Sequence, residues 1–134
     1  MVTTLQVQTH GQGLYEFTDV LSAVVKRSGV KDGLCTILIQ HTSASLCIQE
    51  NADPSAQYDL ERWLRRLVPE NDSLYTHVFE GADDMPAHIK AALTATSLSV
   101  PVQGGLLMLG TWQGVFCWEH RHGSHNRSIA VHIG

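Results

Sequence analysis

Residues 33–67 constrain the fold more than any other part of the chain, because two strand patterns are followed there by a strong helix start. GLCTILIQH (33–41) and ASLCIQEN (44–51) are apolar and β-branched, which predicts two strands joined by a short turn, each buried on at least one face. Asp53 and Pro54 follow directly and are typical of a helix N-cap and a first helical position. Apolar residues then recur at helical spacing, at Leu60, Trp63, Leu64 and Leu67. These patterns predict two strands that lead into an amphipathic helix.

The rest of the chain predicts strands at both ends with helices between them. Residues 2–9 keep a period of two, and an apolar helical stripe after Thr18 ends at Gly29, a plausible helix C-cap. A third helix is predicted with Asp84 as its cap, after a short strand over residues 75–79. Three further strands are predicted over residues 97–105, 106–120 and 127–134. We therefore expect an α+β fold, a compact antiparallel β-sandwich flanked by three helices.

Composition bounds the class of protein. A chain of 134 residues suits one domain, which we expect to span residues 1–134. The net charge of -4, with only 9 Lys and Arg, argues against nucleic-acid binding and against a polybasic membrane patch. Each of the 3 cysteines lies in an apolar run, as expected of reduced thiols in the cytoplasm. No apolar stretch reaches the roughly 18 residues of a membrane span, and no export leader is expected.

Three histidines stand near the ends of predicted elements: His41 after a strand, His77 in YTHVFEG, and His88 one turn inside the third helix. Imidazole nitrogen suits zinc and similar divalent ions, and three histidines with an open fourth position form a recognised catalytic geometry. No HxxxH or CxxC spacing supports such a site. The residues alone therefore favour capping or hydrogen-bonded polar histidines over a metal site.

A second polar group lies where the strand 44–51 gives way to a helix. Asp53 needs no explanation beyond helix capping. Glu50 and Asn51 interrupt an apolar run without such a role, so they are candidates for acid–base catalysis or for orienting a histidine ligand.

The C-terminal segment 110–127 carries a third group of polar residues. Arg121 and Arg127, near hydroxyl and amide groups, could form a phosphate clamp, because a guanidinium binds phosphate through two hydrogen bonds. The alternative is that Glu119 pairs with one of these arginines on a solvated strand face. The other candidates for phosphate contact in this segment are Thr111 and Gln113.

Taken together, several segments closely resemble the YjbQ-type family, whose members are described as secondary thiamine-phosphate synthases. The resemblance runs in order over roughly residues 35–134 and includes DLERWLRRLVPE, EGADDMPAHIKAAL and TSLSVPVQGG. It also includes HTSASLCIQENADP, GTWQG and WEHR, whereas the arginine pair usual in the family tail is here Asn126 and Arg127.

The resemblance implies a homotrimer with a polar cleft that holds a divalent metal, with zinc as the expected ion, on His41, His77 and His88. It further implies a weak thiamine-phosphate synthase activity, which joins hydroxymethylpyrimidine diphosphate to thiazole phosphate and releases diphosphate. Glu50, Asn51 and Glu119 would then be the acid–base candidates of this cleft. Asp53, Thr111, Gln113, Arg121 and Arg127 would contact the phosphorylated substrate. The alternative is a non-catalytic trimer that binds a metal or a phosphorylated metabolite.

Overall fold

The computed structural model describes residues Met1–Gly134 and contains three helices and eight strands. The helices are α1 (Thr18–Ser28), α2 (Pro54–Leu67) and α3 (Asp84–Leu93). The first four strands are β1 (Val2–His10), β2 (Gly13–Glu16), β3 (Gly33–Ile39) and β4 (Ala44–Glu50). The last four are β5 (Ser97–Gln103), β6 (Leu106–Leu107), β7 (Gln113–Glu119) and β8 (Ser124–Ile133).

Two antiparallel sheets share one hydrophobic core. The larger sheet has the strand order β1-β8-β3-β5-β6 and the smaller one the order β2-β7-β4. Alternation of buried and exposed residues along β1 directs one side of the strand inward. The core joins residues of both sheets, for example Val7, Ile37 and Ile129 with Leu46 and Val115. The predicted α+β class, with antiparallel sheets and three helices, is confirmed.

The pairing of β4 with β7 decides which polar residues can meet. Ala44 lies opposite Glu119 at one end of this pair, and Glu50 lies opposite Gln113 at the other end. Six residue steps of about 3.3 Å separate Ala44 from Glu50, so the two ends are roughly 20 Å apart. Polar groups at opposite ends of β4 therefore belong to different regions of the chain's surface.

Helix α2 begins where the sequence predicts, but fewer of its apolar side chains are buried than the predicted stripe implies. Asp53 accepts a hydrogen bond from the Ser55 amide at 3.0 Å, and Pro54 is the first helical residue. Leu64 is the one buried side chain of this helix, whereas Trp63 and Leu67 are each 52% exposed. The apolar stripe of α2 is therefore only partly covered within the chain.

Two local predictions before and within α3 are wrong. Residues 75–79 form no strand, and the Tyr75 amide instead donates to the Asp72 carbonyl in a turn. The N-cap position of α3 is Asp83, not Asp84, and no side chain caps this helix. Asp84 lies in the first turn, so its carboxylate is free to face other side chains.

The C-terminal strands are also divided differently from the prediction. The predicted strand over residues 106–120 is split into β6 and β7, with a loop over residues 108–112 between them. The Gly104 and Gly105 turn before β6 forms as expected, with positive φ at both glycines. All three cysteines are free thiols, and no helix is long and apolar enough to cross a membrane.

Candidate metal centre and the adjoining ion pair

His77, Asp84 and His88 bring three potential metal ligands together, with donor atoms all within 4.8 Å of one another. Asp84 and His88 are four residues apart on α3, a spacing that places them on the same helix face. His77 reaches them from the irregular segment before the helix. Its Nε2 atom lies 2.6 Å from Asp84 Oδ2, and Nε2 of His88 lies 3.2 Å from the same oxygen.

The hydrogen bond on the far side of the His88 ring determines what this site can bind. Nδ1 of His88 lies 3.1 Å from the Thr42 carbonyl oxygen, which can only accept, so Nδ1 carries the ring proton. In the neutral ring, Nε2 then presents a lone pair to the Asp84 carboxylate. Two acceptors face each other at 3.2 Å, an arrangement that requires a proton or a cation between them. Two imidazoles and one carboxylate are a common zinc ligand set, so these residues fit a divalent ion.

Arg121 holds the carboxylate of this cluster in place. Its Nη1 lies 2.9 Å from Asp84 Oδ1, its Nε donates to Asp83 at 3.0 Å, and its Nη2 donates to the Glu80 carbonyl at 2.8 Å. The hydrogen bond to Asp83 raises the pKa of Arg121 further, as does the negative charge of Asp84. The guanidinium predicted to clamp phosphate is therefore committed to orienting Asp84.

Glu119 and Arg127 form an ion pair inside the protein, at 0% and 4% exposure. Arg127 Nε donates to Glu119 at 2.7 Å, and Nη2 donates to both Glu119 and the Ser43 hydroxyl. The Thr9 hydroxyl and the Arg121 amide also donate to Glu119. Burial alone would raise the pKa of Glu119, but the hydrogen bonds from Arg127 and Thr9 outweigh it and hold that pKa below its ordinary value. The pair that the sequence allowed on a solvated face is thus buried, and the carboxylate is ionised.

His41 lies beside this ion pair and not in the metal cluster. The Ser128 amide donates to His41 Nε2 at 2.8 Å, while Nδ1 of His41 lies 3.3 Å from Nη1 of Arg127. Burial lowers the pKa of His41, and the positive charge of Arg127 lowers it further. The prediction of three converging histidines is therefore corrected: the HTSAS segment reaches the cluster through the Thr42 carbonyl, and Asp84 takes the third position.

The structure separates the remaining predicted site residues from the metal cluster. Asn51 donates to Glu16 at 2.9 Å, next to the end of β4 at which Glu50 faces Gln113. Gln113 accepts a hydrogen bond from the Gly110 amide at 2.7 Å. Asp53 and Thr111 are exposed near the same end. One chain therefore does not place these residues in the cleft of His77 and His88, contrary to the expectation of a single site.

Sequence reasoning missed Asp84 as a candidate ligand, because a helix cap explained it. The signal was present in the spacing of Asp84 and His88, which puts both on one face of a helix. His120 was missed as well, although it is only 1% exposed and lies within hydrogen-bond distance of Ser45 Oγ, at 2.9 Å. The pKa of His120 is lowered to about 3, mainly by burial, with the charge of the buried Lys90 acting in the same direction.

Sequence comparisons relate nearly the whole chain to one protein family. The sequence profile of the family described as UPF0047 protein YjbQ-like matches residues 3–134. UPF0047 protein sll1880 of Synechocystis sp. is 54% identical over 129 residues, which are 96% of this chain and 88% of that protein. UPF0047 protein YjbQ of Escherichia coli O157:H7 is 46% identical over 130 residues, 96% of this chain and 94% of that protein.

Solved structures share the fold of this chain over nearly its whole length. An uncharacterized conserved protein of the YjbQ/UPF0047 family from Clostridium acetobutylicum has a TM-score of 0.87 at 33% identity, covering 100% of this chain and 99% of that one. The conserved hypothetical protein TT1486 of Thermus thermophilus has a TM-score of 0.89 at 31% identity, covering 98% of this chain and 99% of that one. The chain therefore belongs to the YjbQ family, UPF0047.

Proposed function

We propose that this chain is a metal-assisted enzyme of phosphorylated small molecules, with His77, Asp84 and His88 as the metal ligands. The contact between His88 Nε2 and Asp84 Oδ2 carries the proposal, because two acceptors at 3.2 Å need a proton or a cation, and the nearby His77 makes a divalent ion the occupant that uses all three donor atoms. Arg121 supports it by holding the other carboxylate oxygen of Asp84. Zinc is the ion that we expect, since imidazole and carboxylate ligands suit it. Free cysteines favour a cytoplasmic setting.

The specific activity that we propose is a weak thiamine-phosphate synthase activity. In this reaction the thiazole nitrogen forms a bond to the methylene carbon of hydroxymethylpyrimidine diphosphate, and the bond from that carbon to the diphosphate oxygen breaks. A bound divalent ion would supply Lewis acidity that stabilises the negative charge of the departing diphosphate. Support comes from the family resemblance and from a candidate metal centre that lies beside the buried Glu119 and Arg127 pair.

Metal analysis of protein purified without an affinity tag tests the first part of the proposal. We expect close to one equivalent of a divalent ion per chain and loss of that ion in His88→Ala. His132→Ala is the matched control, because His132 is an exposed histidine on β8 outside the cluster. Equal metal content in His88→Ala and in the unmodified chain would refute the assignment of ligands.

A second candidate function is a non-catalytic trimer that binds a metal or a phosphorylated metabolite. The specific observation in its favour is that Glu119 accepts hydrogen bonds from Arg127, Thr9 and the Arg121 amide, which leaves it poorly suited to exchange protons. Turnover discriminates between the two functions. An enzyme should release diphosphate from hydroxymethylpyrimidine diphosphate and thiazole phosphate in a manner that depends on His88, whereas a binder should hold ligand without product.

We further propose the trimeric state implied by the resemblance, with the edge strand β6 near the subunit contact. Leu106 and Met108 are 72% and 55% exposed at this edge, and Leu107 is half-buried. Exposed apolar side chains on an unpaired strand edge favour association with another chain. Light scattering at micromolar concentration should give three times the mass of one chain, and a monomer mass would refute the proposal.

A further inference from the structure

His41 and Arg127 present two hydrogen-bond donors to each other. The Ser128 backbone amide is always a donor, so Nε2 of His41, at 2.8 Å from it, must be the ring nitrogen with the lone pair. The proton of the neutral ring is therefore on Nδ1. This Nδ1–H group faces Nη1 of Arg127 at 3.3 Å, and a guanidinium can only donate. Neither group satisfies the other, and an acceptor is missing between them.

An open cavity lies on the His41 side of this pair, and Arg127, only 4% exposed, contacts two of the lining residues, His41 and Ser43. His41, Thr42 and Ser43 line this cavity of about 540 Å³, which also touches Thr96. The Ser43 hydroxyl oxygen accepts from Nη2 of Arg127 at 3.0 Å, so its own proton is available to a further acceptor. Because the Glu119 carboxylate neutralises the charge of Arg127, the site would hold a ligand mainly through hydrogen bonds and only weakly through net positive charge. It is suited to a single oxygen atom that carries negative charge.

The candidate metal centre lies one residue away along the chain. The Thr42 carbonyl accepts from His88, while His41, the residue before it, faces Arg127. The two hydrogen-bond acceptors at the metal cluster, His88 Nε2 and Asp84 Oδ2, are therefore close in the chain to the two donors, His41 Nδ1–H and Arg127 Nη1–H. A cation would satisfy the acceptors, and an anionic oxygen next to it would satisfy the donors.

We propose that His41 Nδ1–H and Arg127 Nη1–H together bind one anionic oxygen, of a phosphoryl group or a carboxylate, on a ligand in this cavity. The inference rests on the proposed function, since it names how that site holds the anionic group of its substrate. It changes the role of His41 from metal ligand to hydrogen-bond donor. Inorganic phosphate and acetate are the probes for the two sources of such an oxygen.

Two substitutions of His41 separate anion binding from a structural role. In His41→Gln the longer side chain can still accept from the Ser128 amide but lacks a donor at the Nδ1 position. In His41→Asn the amide nitrogen lies near the Nδ1 position, but the acceptor for Ser128 is lost. Calorimetric titration with phosphate should show affinity at least about tenfold weaker for Gln, the effect of losing one hydrogen bond to a charged group, and a smaller loss for Asn.

The titrations are run on the full chain, as purified and after removal of metal with a chelator. Nitrogen-edited NMR of the unmodified chain provides a readout that does not depend on the variants folding: phosphate should shift the ring-nitrogen signals of His41 and leave those of His132 unchanged. An equal shift with acetate assigns the site to carboxylates as well, and a shift with phosphate alone assigns it to phosphoryl groups.

Wild-type phosphate affinity in His41→Gln, or an unchanged His41 signal at saturating phosphate and acetate, would overturn the inference. Phosphate binding that requires the metal and leaves the His41 signal unchanged would do the same, while the proposed metal centre would stand. Conversely, a shifted His41 signal in a protein that binds no divalent ion would refute the metal-assisted function and leave the inference intact.

Discussion

The buried Glu119–Arg127 pair allows a quantitative test of the structure. Glu119→Gln keeps the shape of the side chain but removes its charge, so the Arg127 guanidinium stays buried at 4% exposure without a carboxylate. Breaking a buried ion pair by removing one partner costs about 3 to 5 kcal/mol of unfolding free energy, because the remaining charge is desolvated and uncompensated. We expect Glu119→Gln to lower the unfolding free energy by an amount in this range. The Thr9 hydroxyl loses its charged acceptor as well, which favours the upper half.

Urea denaturation measures this change. With a dependence on urea of about 2 kcal/mol per molar, a loss of about 4 kcal/mol lowers the midpoint by roughly 2 M. The double variant Glu119→Leu with Arg127→Met is the matched control, since it removes both charges and keeps apolar volume. It should be more stable than either single variant, because an apolar pair carries no desolvated charge. A Glu119→Gln midpoint within about 0.5 M of the unmodified chain would refute the reasoning, since a pair on the surface contributes only about 0 to 1 kcal/mol.

Three further predictions follow from the same contacts. Because burial lowers the pKa of His120 from 6.5 to about 3, the unfolded chain gains a proton before the folded chain does, and stability falls as pH drops through this window. At pH 5 the loss of unfolding free energy is about 2 kcal/mol relative to pH 7. Urea denaturation at both pH values should show this loss, and His120→Gln should make the stability depend less on pH. Arg121→Met should weaken metal affinity by about 10- to 100-fold by freeing Asp84, as metal titration would show; unchanged affinity would contradict its orienting role. Asn51→Ala should leave metal content unchanged, since Asn51 follows the end of β4 that lies roughly 20 Å from Ala44, the residue opposite Glu119. Loss of metal would mean that the two ends of β4 cooperate.

The class of fold and the start of helix α2 follow from local patterns in the sequence. The strands β3 and β4 follow from apolar, β-branched runs, and α2 begins where Asp53 and Pro54 predict it. These signals are local, because a cap or a strand period depends on residues within a few positions of one another. The burial of individual side chains does not follow from such local signals. The apolar spacing that predicts helix α2 includes Trp63, yet Trp63 is exposed in the structure.

Which polar residues share a site depends instead on how distant segments pack together. The sequence grouped His41 with Glu50 and Asn51, but β4 runs between them and places them at opposite ends of a sheet. The direction of the His41 ring depends on the amide of Ser128, 87 residues away, and Asp84 became a candidate ligand because His77 folds back onto α3. Side-chain partners of this kind are selected by contacts between distant segments, so no pattern of neighbouring residues encodes them, whereas secondary structure arises from interactions along the local chain.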